Sequence, residues 1–484
     1  MGAIQSGNED VAASLSQKPR ARHRLRRPPR RCLGGAPYNP AMPRSLSDWL
    51  EYIERQHPKS VDMGLERVRE VATRMQLGRP ARQVVTVAGT NGKGSTVAFI
   101  EAIARAAGWK VGAYTSPHLL AYNERVRIDG RDAGDDELIV AFEAVEAARA
   151  RPVEGEREIP LTYFEFGTLA ALWLFERAGL ELAILEVGLG GRLDATNLVD
   201  PDVAVITTVD LDHQDWLGGD RESIGHEKAG IARPWKPLVL GEDDPPASVL
   251  RHAYAIGASA IRAGCDFLFE RTGEQSWRWR EPGFGLDLPL PALAAPARAA
   301  TVQTASVQGT SMQIRNAATA IAALRALREP VETEAYAEGI RDARIAARLQ
   351  GFDRAGVQVL VDVGHNPQAA RQLADALLSA PIAGRTLALY AALSDKAHPE
   401  VVSALAPAVD AWCLAGTREA GPRGMAAEAL AGRLAGTAAA AAACHDDVAL
   451  ALQAALAQSG PGDRVLVFGS FHTAAAALRL LNGA

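Results

Sequence analysis

From Ser45 onward, short runs of β-branched and aliphatic residues alternate with alanine- and leucine-rich stretches of helical period. That rhythm is the mark of β-α-β units laid on a mostly parallel sheet. The apolar runs predict strands over residues 84–88, 111–115, 182–187, 203–209 and 238–240. A second series follows over residues 357–363, 386–390, 411–414 and 464–468, so two α/β domains are expected. Between the series, residues 293–310 have loop composition and no period, which reads as an insertion. A helix starting at Asn316 closes at Pro330, and the junction falls within residues 346–352. The expected division is a basic extension over 1–41, a first domain over 42–346 and a C-terminal domain over 347–484.

Composition narrows the class. The chain is 48% hydrophobic and 23% charged, as expected for a globular protein. No apolar run approaches the roughly 20 residues that cross a bilayer, which argues against a membrane partner. Cys32, Cys265, Cys413 and Cys444 lie apart with no ligand or disulfide spacing, which fits a reducing, cytoplasmic setting. The net charge of -5 hides an asymmetry: residues 1–41 carry eight Lys/Arg and two acids, leaving -11 for the rest. An acidic body argues against nucleic acid as a partner. The extension, "KPRARHRLRRPPRR", is proline-rich and poor in apolar residues, so it is expected to be disordered and dispensable. Its opening "MGAIQS" also matches the myristoylation pattern.

Ligands of open parallel sheets sit beyond the carboxyl ends of the strands. Those ends carry Gly89 to Lys93, Ser116, Glu186, His213, Asp362 to Asn366, Ser394 to Lys396, and Ser470. The strand "VVTVAG", the turn "TNGKG" and the helix "STVAFIEAIARAAG" form a phosphate-binding loop in its proper context. Backbone N–H groups of Thr90, Asn91, Gly92 and Gly94 curl round phosphate oxygens, Lys93 adds a point charge, and the helix N-terminus adds its dipole. The spelling departs from the common motif, because Gly94 stands where a Ser or Thr hydroxyl normally reaches magnesium. Either Ser95 substitutes or the ligands come from elsewhere, and Ser116, Glu186 and His213 are the candidates. A carboxylate ending the apolar run "LAILEVG" is costly to bury without a partner, which favours Glu186.

"GTNGKGS", "YTSPHL", "LTYFEFGTLAAL", "LEVGLGGRLDATN", "DHQDWLG", "EKAGI" and "DVGHNPQA" occur here in one order. In that order they resemble the folylpolyglutamate synthase/dihydrofolate synthase family of the Mur ligase superfamily, over residues 43–484. The resemblance implies a P-loop ATPase domain with a mostly parallel sheet plus a smaller Rossmann-like α/β C-terminal domain. It assigns magnesium to Ser116, Glu186 and His213, and identifies Lys228 with a lysine that is carbamylated to support a second magnesium. Nucleotide contacts fall by motif on Asn316, Arg348 and Asp362, beside Thr90, Asn91, Gly92, Lys93, Gly94 and Ser95.

The implied reaction phosphorylates a carboxylate of dihydropteroate or folate with ATP and then lets the amine of L-glutamate displace the phosphate. The pteroate side rests on Thr162, Tyr163, Phe164, Glu165, Leu193, Asp194 and Ala195, with the aromatics flanking a flat ring and Asp194 accepting from it. His365 and Ser470 belong to the glutamate side. "SVDMGLERV", residues 60–68, resembles a substrate-gating loop, and a monomer is implied. Met312 in "GTSMQ" replaces the histidine usual there, which leaves the adenine contacts open. Two other readings compete: a Mur ligase acting on a UDP-muramoyl substrate, and a P-loop nucleotide switch. "LTYFEF" and "GGRLDATN" favour the folate branch over the first, and the absence of an NKxD motif disfavours a GTPase switch.

Overall fold

The computed structural model describes residues 45–59, 61–150, 158–291 and 311–483. The basic extension, Ser60, Cys32 and the 293–310 insertion lie outside the described residues. Strands of the first domain are β1 (Ala81–Ala88), β2 (Val111–Tyr114), β3 (Val126–Ile128), β4 (Arg131–Asp132), β5 (Leu180–Glu186), β6 (Val203–Ile206), β7 (Pro237–Leu240) and β8 (Ser259–Arg262). They form one sheet in the order β4-β3-β2-β5-β1-β6-β7-β8. All neighbours are parallel except the β2-β3-β4 edge.

Strand β1 sits between β5 and β6 and is buried almost throughout, with Val84, Val85, Val87 and Ala88 supplying its apolar run, as suits a strand covered on both faces. It is also where the chain's direction of travel across the sheet reverses, the place at which such sheets open a crevice. Strand β6 ends at Ile206, three residues before the expected 209. Beyond it the chain leaves the sheet to bind the loop after β1: Thr207 N–H donates to Ala88 O and Thr208 O accepts from Thr90 N–H.

Three antiparallel strands, β9 (Leu268–Arg271), β10 (Ser276–Glu281) and β11 (Phe284–Pro289), follow β8. The sequence did not predict them. Their buried Trp277 and Trp279 pack on the helix Ser311–Arg325, and Trp279 Nε1 donates to Ala318 O at 3.1 Å. That helix is covered on nearly every face, which its alanines permit, and it joins the first sheet in one apolar core. It begins five residues before Asn316, so Asn316 lies inside the helix rather than capping it.

The second sheet contains β12 (Gln350–Arg354), β13 (Val357–Val361), β14 (Thr386–Tyr390), β15 (Ala411–Ala415), β16 (Ala443–His445) and β17 (Arg464–Phe468). Its order is β12-β13-β17-β14-β15-β16, antiparallel only at β12. The helix Thr333–Asp342 and the short segment before β12 carry the chain between the sheets, with Ala347 and Leu349 in left-handed conformation. No helix among the described residues is long and apolar enough to cross a membrane.

Candidate functional site

The loop after β1 is built to hold an anion. Gly92 has φ of 87°, and a Cβ there would lie 2.5 Å from Asn316 Oδ1, so the turn requires glycine. Gly92 is also the N-cap of the helix Lys93–Ala106, and no side chain caps that helix. Its first N–H groups face a cleft lined by Thr90, Asn91, Lys93, Gly94 and Ser95. Lys93 Nζ folds back and donates to Gly89 O at 2.9 Å and Thr90 O at 3.3 Å. The cleft continues to Met312, Ala369, Gln372 and Leu373, an apolar end beyond the loop. Asn316 Nδ2, beside the loop, and Gln372 Oε1, at that end, are buried without hydrogen-bond partners among the described residues. The Gln372 carbonyl oxygen at that end of the cleft is an open acceptor that suits a nucleobase amino group. The site therefore fits a nucleoside triphosphate.

Ser116, Glu186 and His213 line this same cleft, as do Arg348, Asp362 and His365. Glu186 is 5% exposed and accepts from Ser116 N–H at 3.2 Å, with no ion pair among the described residues. Burial pushes its carboxyl up, opposed by the charge of Lys93, the Ser116 N–H and the guanidiniums of Arg348 and Arg127. Burial lowers His213 to about 4, leaving a neutral imidazole. A hydroxyl, a lone buried carboxylate and a neutral imidazole form a donor set suited to a divalent cation. Among the described residues no three His, Cys, Asp or Glu side chains form a metal cluster, so a cation here depends on Ser116 and on water or phosphate oxygens.

Lys228, on the helix Arg221–Ala229, is 3% exposed and also lines the cleft. Burial, then the charge of Lys93, lowers its amine to about 7, against the pull of Asp212 and Asp194. Asp362 is buried and accepts from Leu349 N–H at 2.9 Å and Gly364 N–H at 2.7 Å.

A second cavity of about 480 Å³ opens on the other side of Ser116 and Pro117, and it shares His213 and His365 with the first. Thr162, Tyr163, Phe164, Glu165, Leu193, Asp194 and Ala195 all line it. Phe164 lies on the loop after β5, where a Cβ on Gly188 would come within 2.6 Å of its ring. The guanidinium of Arg125 stands 5.4 Å from the centre of the Tyr163 ring.

Two carboxylates expected to meet a ligand are engaged within the protein. Glu165 accepts from Thr162 N–H in a capping box and from Arg67 at 2.9 Å. Asp194 accepts from Leu189 N–H at 2.9 Å, Thr196 N–H at 3.0 Å and Thr196 Oγ1 at 2.6 Å. Each shapes the wall of the cavity. Ser470 caps the helix Phe471–Leu481, and its hydroxyl is shared with Thr473.

The sequence reading passed over Asp212, although it precedes His213. Lys396 Nζ lies 2.8 Å from Asp212 Oδ1, while His365 Nε2 and Asn366 Nδ2 each lie 3.3 Å from Oδ2. Burial alone would raise this carboxyl, but the bond to His365 and the ammonium charge of Lys396 hold it well below the usual carboxylate range. Beside it, Asn91 Nδ2 donates to Asn366 Oδ1 at 3.0 Å and Gln368 Oε1 at 2.5 Å. The phosphate loop and the second sheet are thereby tied together.

Comparison with known proteins agrees with this geometry. The Mur ligase middle domain matches residues 87–266, and the Mur ligase glutamate ligase domain matches residues 347–471. The dihydrofolate synthase/folylpolyglutamate synthase of Escherichia coli K12 is 43% identical over 438 residues, 90% of this chain and 96% of the relative. That of Haemophilus influenzae is 38% identical over 454 residues, 89% of this chain and 96% of the relative. The structure of E. coli FolC in complex with DHPP and ADP superposes with a TM-score of 0.81 at 43% identity, covering 91% of this chain and 98% of that one. A bifunctional folylpolyglutamate synthase/dihydrofolate synthase with Mn, AMPPNP and L-glutamate bound gives 0.79 at 43% identity, covering 90% and 98%. Two Mur ligase domain models and relatives up to 43% identical over 90% of the chain place it in the dihydrofolate synthase/folylpolyglutamate synthase family of Mur ligases.

Proposed function

We propose that the chain is an ATP-dependent ligase that joins L-glutamate to dihydropteroate or to a folate through an acyl phosphate. The observation that carries this reading is the wall common to the two cavities, where Ser116, Pro117, His213 and His365 face both. A triphosphate seated on the loop and an organic acid seated among Tyr163, Phe164 and Arg125 would meet at that wall. The relatives with ADP and DHPP, and with AMPPNP, Mn and L-glutamate, support the same assignment of ligands.

Lys93 exchanges the carbonyls of Gly89 and Thr90 for phosphate oxygens as the nucleotide arrives. A carboxylate oxygen of the acid then attacks the γ-phosphorus and ADP departs. The glutamate amine attacks the acyl carbon, the C–O bond to phosphate breaks with its electron pair, and the amine loses a proton. A divalent cation held by Ser116, Glu186 and His213 neutralises charge between the phosphates and the acid.

On the facing domain, His365 is positioned by Asp212 and Lys396 lies beside it, which suits the amino-acid side. Arg348 and Asp362 flank the nucleotide from the interdomain segment and β13. A Lys228 amine near 7 is about half unprotonated at neutral pH, the state that adds carbon dioxide, so we assign it the carbamate that supports a second magnesium. Incubation with dihydropteroate or tetrahydrofolate, glutamate and Mg-ATP should yield a product heavier by one glutamyl unit in the mass spectrum. Turnover only with UDP-muramoyl substrates, or ATP hydrolysis indifferent to any acid or amine, would overturn the reading.

A further inference from the structure

A third cavity, of about 520 Å³, meets the other two at Ser116, Pro117 and Phe471. It borders the nucleotide cleft at Gly94, Glu186 and Arg348, which is the end where the γ-phosphate would lie. From there it runs between the outer face of the helix Lys93–Ala106 and the interdomain segment, past Ala98, Ala102 and Arg344. In the reading above the aromatic cavity takes the acid, its His365 and Lys396 side takes glutamate and the nucleotide cleft takes ATP, so this third space, which neither His365 nor Lys396 lines, has no occupant in that scheme.

Its charges favour an anion. The wall's own carboxylates are largely answered inside the protein: Glu101 by Arg127 at 2.7 Å, and Glu124 by the N–H groups of Leu119, Leu120 and Ala121. Asp132 and Asp342 are exposed, as is Arg344, and Glu186 belongs to the cation site. Arg344 and Arg348, by contrast, have no carboxylate within ion-pair distance among the described residues. Arg344 Nη1 donates to the carbonyls of Arg341 and Ala343, at 2.7 and 2.8 Å, which fixes the guanidinium at a helix end, and among the described residues its other N–H groups have no partner. Arg348 Nη1 donates to Ala347 O at 3.3 Å, and its guanidinium lies over Phe471.

Resting on the ligase reading, we propose that this cavity receives inorganic phosphate and is the path by which it leaves. When the amine displaces phosphate from the acyl phosphate, ADP still fills the nucleotide cleft and the new amide fills the aromatic cavity. The departing dianion is then formed near Arg348, at the border between the nucleotide cleft and this third cavity. Guanidinium forks match phosphate oxygens in geometry and charge.

The test uses Arg344→Ala, with Arg344→Lys to restore charge, and Ala102→Phe to narrow the cavity without touching charge. Inhibition of ligation by inorganic phosphate should weaken about tenfold in Arg344→Ala, the loss of one charge-assisted bond, and recover in Arg344→Lys. Inhibition by ADP and single-turnover amide formation should stay as in the wild type. In Ala102→Phe, phosphate release followed with a phosphate sensor should lag behind amide formation. Unchanged phosphate inhibition and release in all variants would overturn the proposal. So would a fall in single-turnover amide formation, which would put Arg344 in the ligation machinery. A raised KM for a glutamylated folate with unchanged phosphate inhibition would give the cavity to the substrate's anionic tail instead. A wild-type chain that makes no amide sinks the ligase reading itself, and this path with it.

Discussion

At the carboxyl edge of the first sheet, several polar groups lack a full set of partners among the described residues. The helix Lys93–Ala106 has no side-chain cap, Asn316 Nδ2 is buried and unpaired, and Glu186 is buried with no ion pair among the described residues. At the edge of the second sheet, most polar groups answer one another. Asn366 caps the helix Pro367–Ser379, Ser470 caps the helix Phe471–Leu481, and Asp362 accepts two backbone N–H groups. Residues of similar type at equivalent strand ends thus carry different electrostatic loads. The first edge holds unmet demand that only ligands relieve, whereas the second is a preformed jaw that closes through His365, Asn366 and Lys396 onto Asp212.

The sharpest way to break this contrast is Lys93→Ala. Removing the charge that serves the triphosphate should lower glutamate incorporation on the order of a thousandfold, as for other groups that stabilise charge in the transition state. Glu186→Gln should cost about a hundredfold or more in the same assay, yet leave the protein at least as resistant to urea. Burial raises this carboxyl in the folded state, so its charge opposes folding at neutral pH and the amide removes that opposition. A clear drop in the urea midpoint would show that the first edge is not strained.

Lys228→Ala should reduce activity by a smaller factor and recover part of it when short carboxylic acids are added, since they stand in for a carbamate. The lysine also gives a pH signature. Its folded amine, near 7, lies below the unfolded value, so the unfolded chain holds the extra proton between the two. Stability should therefore rise with pH from about 7 to about 10.4, at most by about 1.4 kcal/mol per pH unit. Urea midpoints of Lys228→Met in carbonate-free buffer should lack that slope.

On the second edge, Asp212→Asn should lower kcat/KM about tenfold through looser closure, with ADP affinity nearly unchanged, because one charge-assisted contact is worth about that much. Deleting residues 2–41 should do nothing to activity, and a dead truncated enzyme would contradict that expectation.

Much of the frame was legible because strands buried on both faces are written as clustered apolar residues, as in the run Leu182 to Leu185 of β5. The antiparallel strands β9 to β11 escaped because their exposed charged positions, Glu270, Arg271, Arg278 and Arg280, look like loop. At the site, the loop, Glu186 and His213 announced themselves by position. The engagement of Glu165 with Arg67, and of Asp194 with the turn it stabilises, did not, since a sequence shows that a carboxylate is present but not which donors reach it first. Asp212 went unseen for the same reason: its partners lie more than 150 residues away along the chain.

Because the Lys93 ammonium already rests on two main-chain carbonyls, any newcomer must outcompete them. A singly charged or diffuse anion offers that cation little more than the peptide oxygens do, while the crowded oxygens of a polyphosphate offer far more. The folded-back lysine thereby sets a threshold of charge density, and common cellular anions such as chloride fall below it.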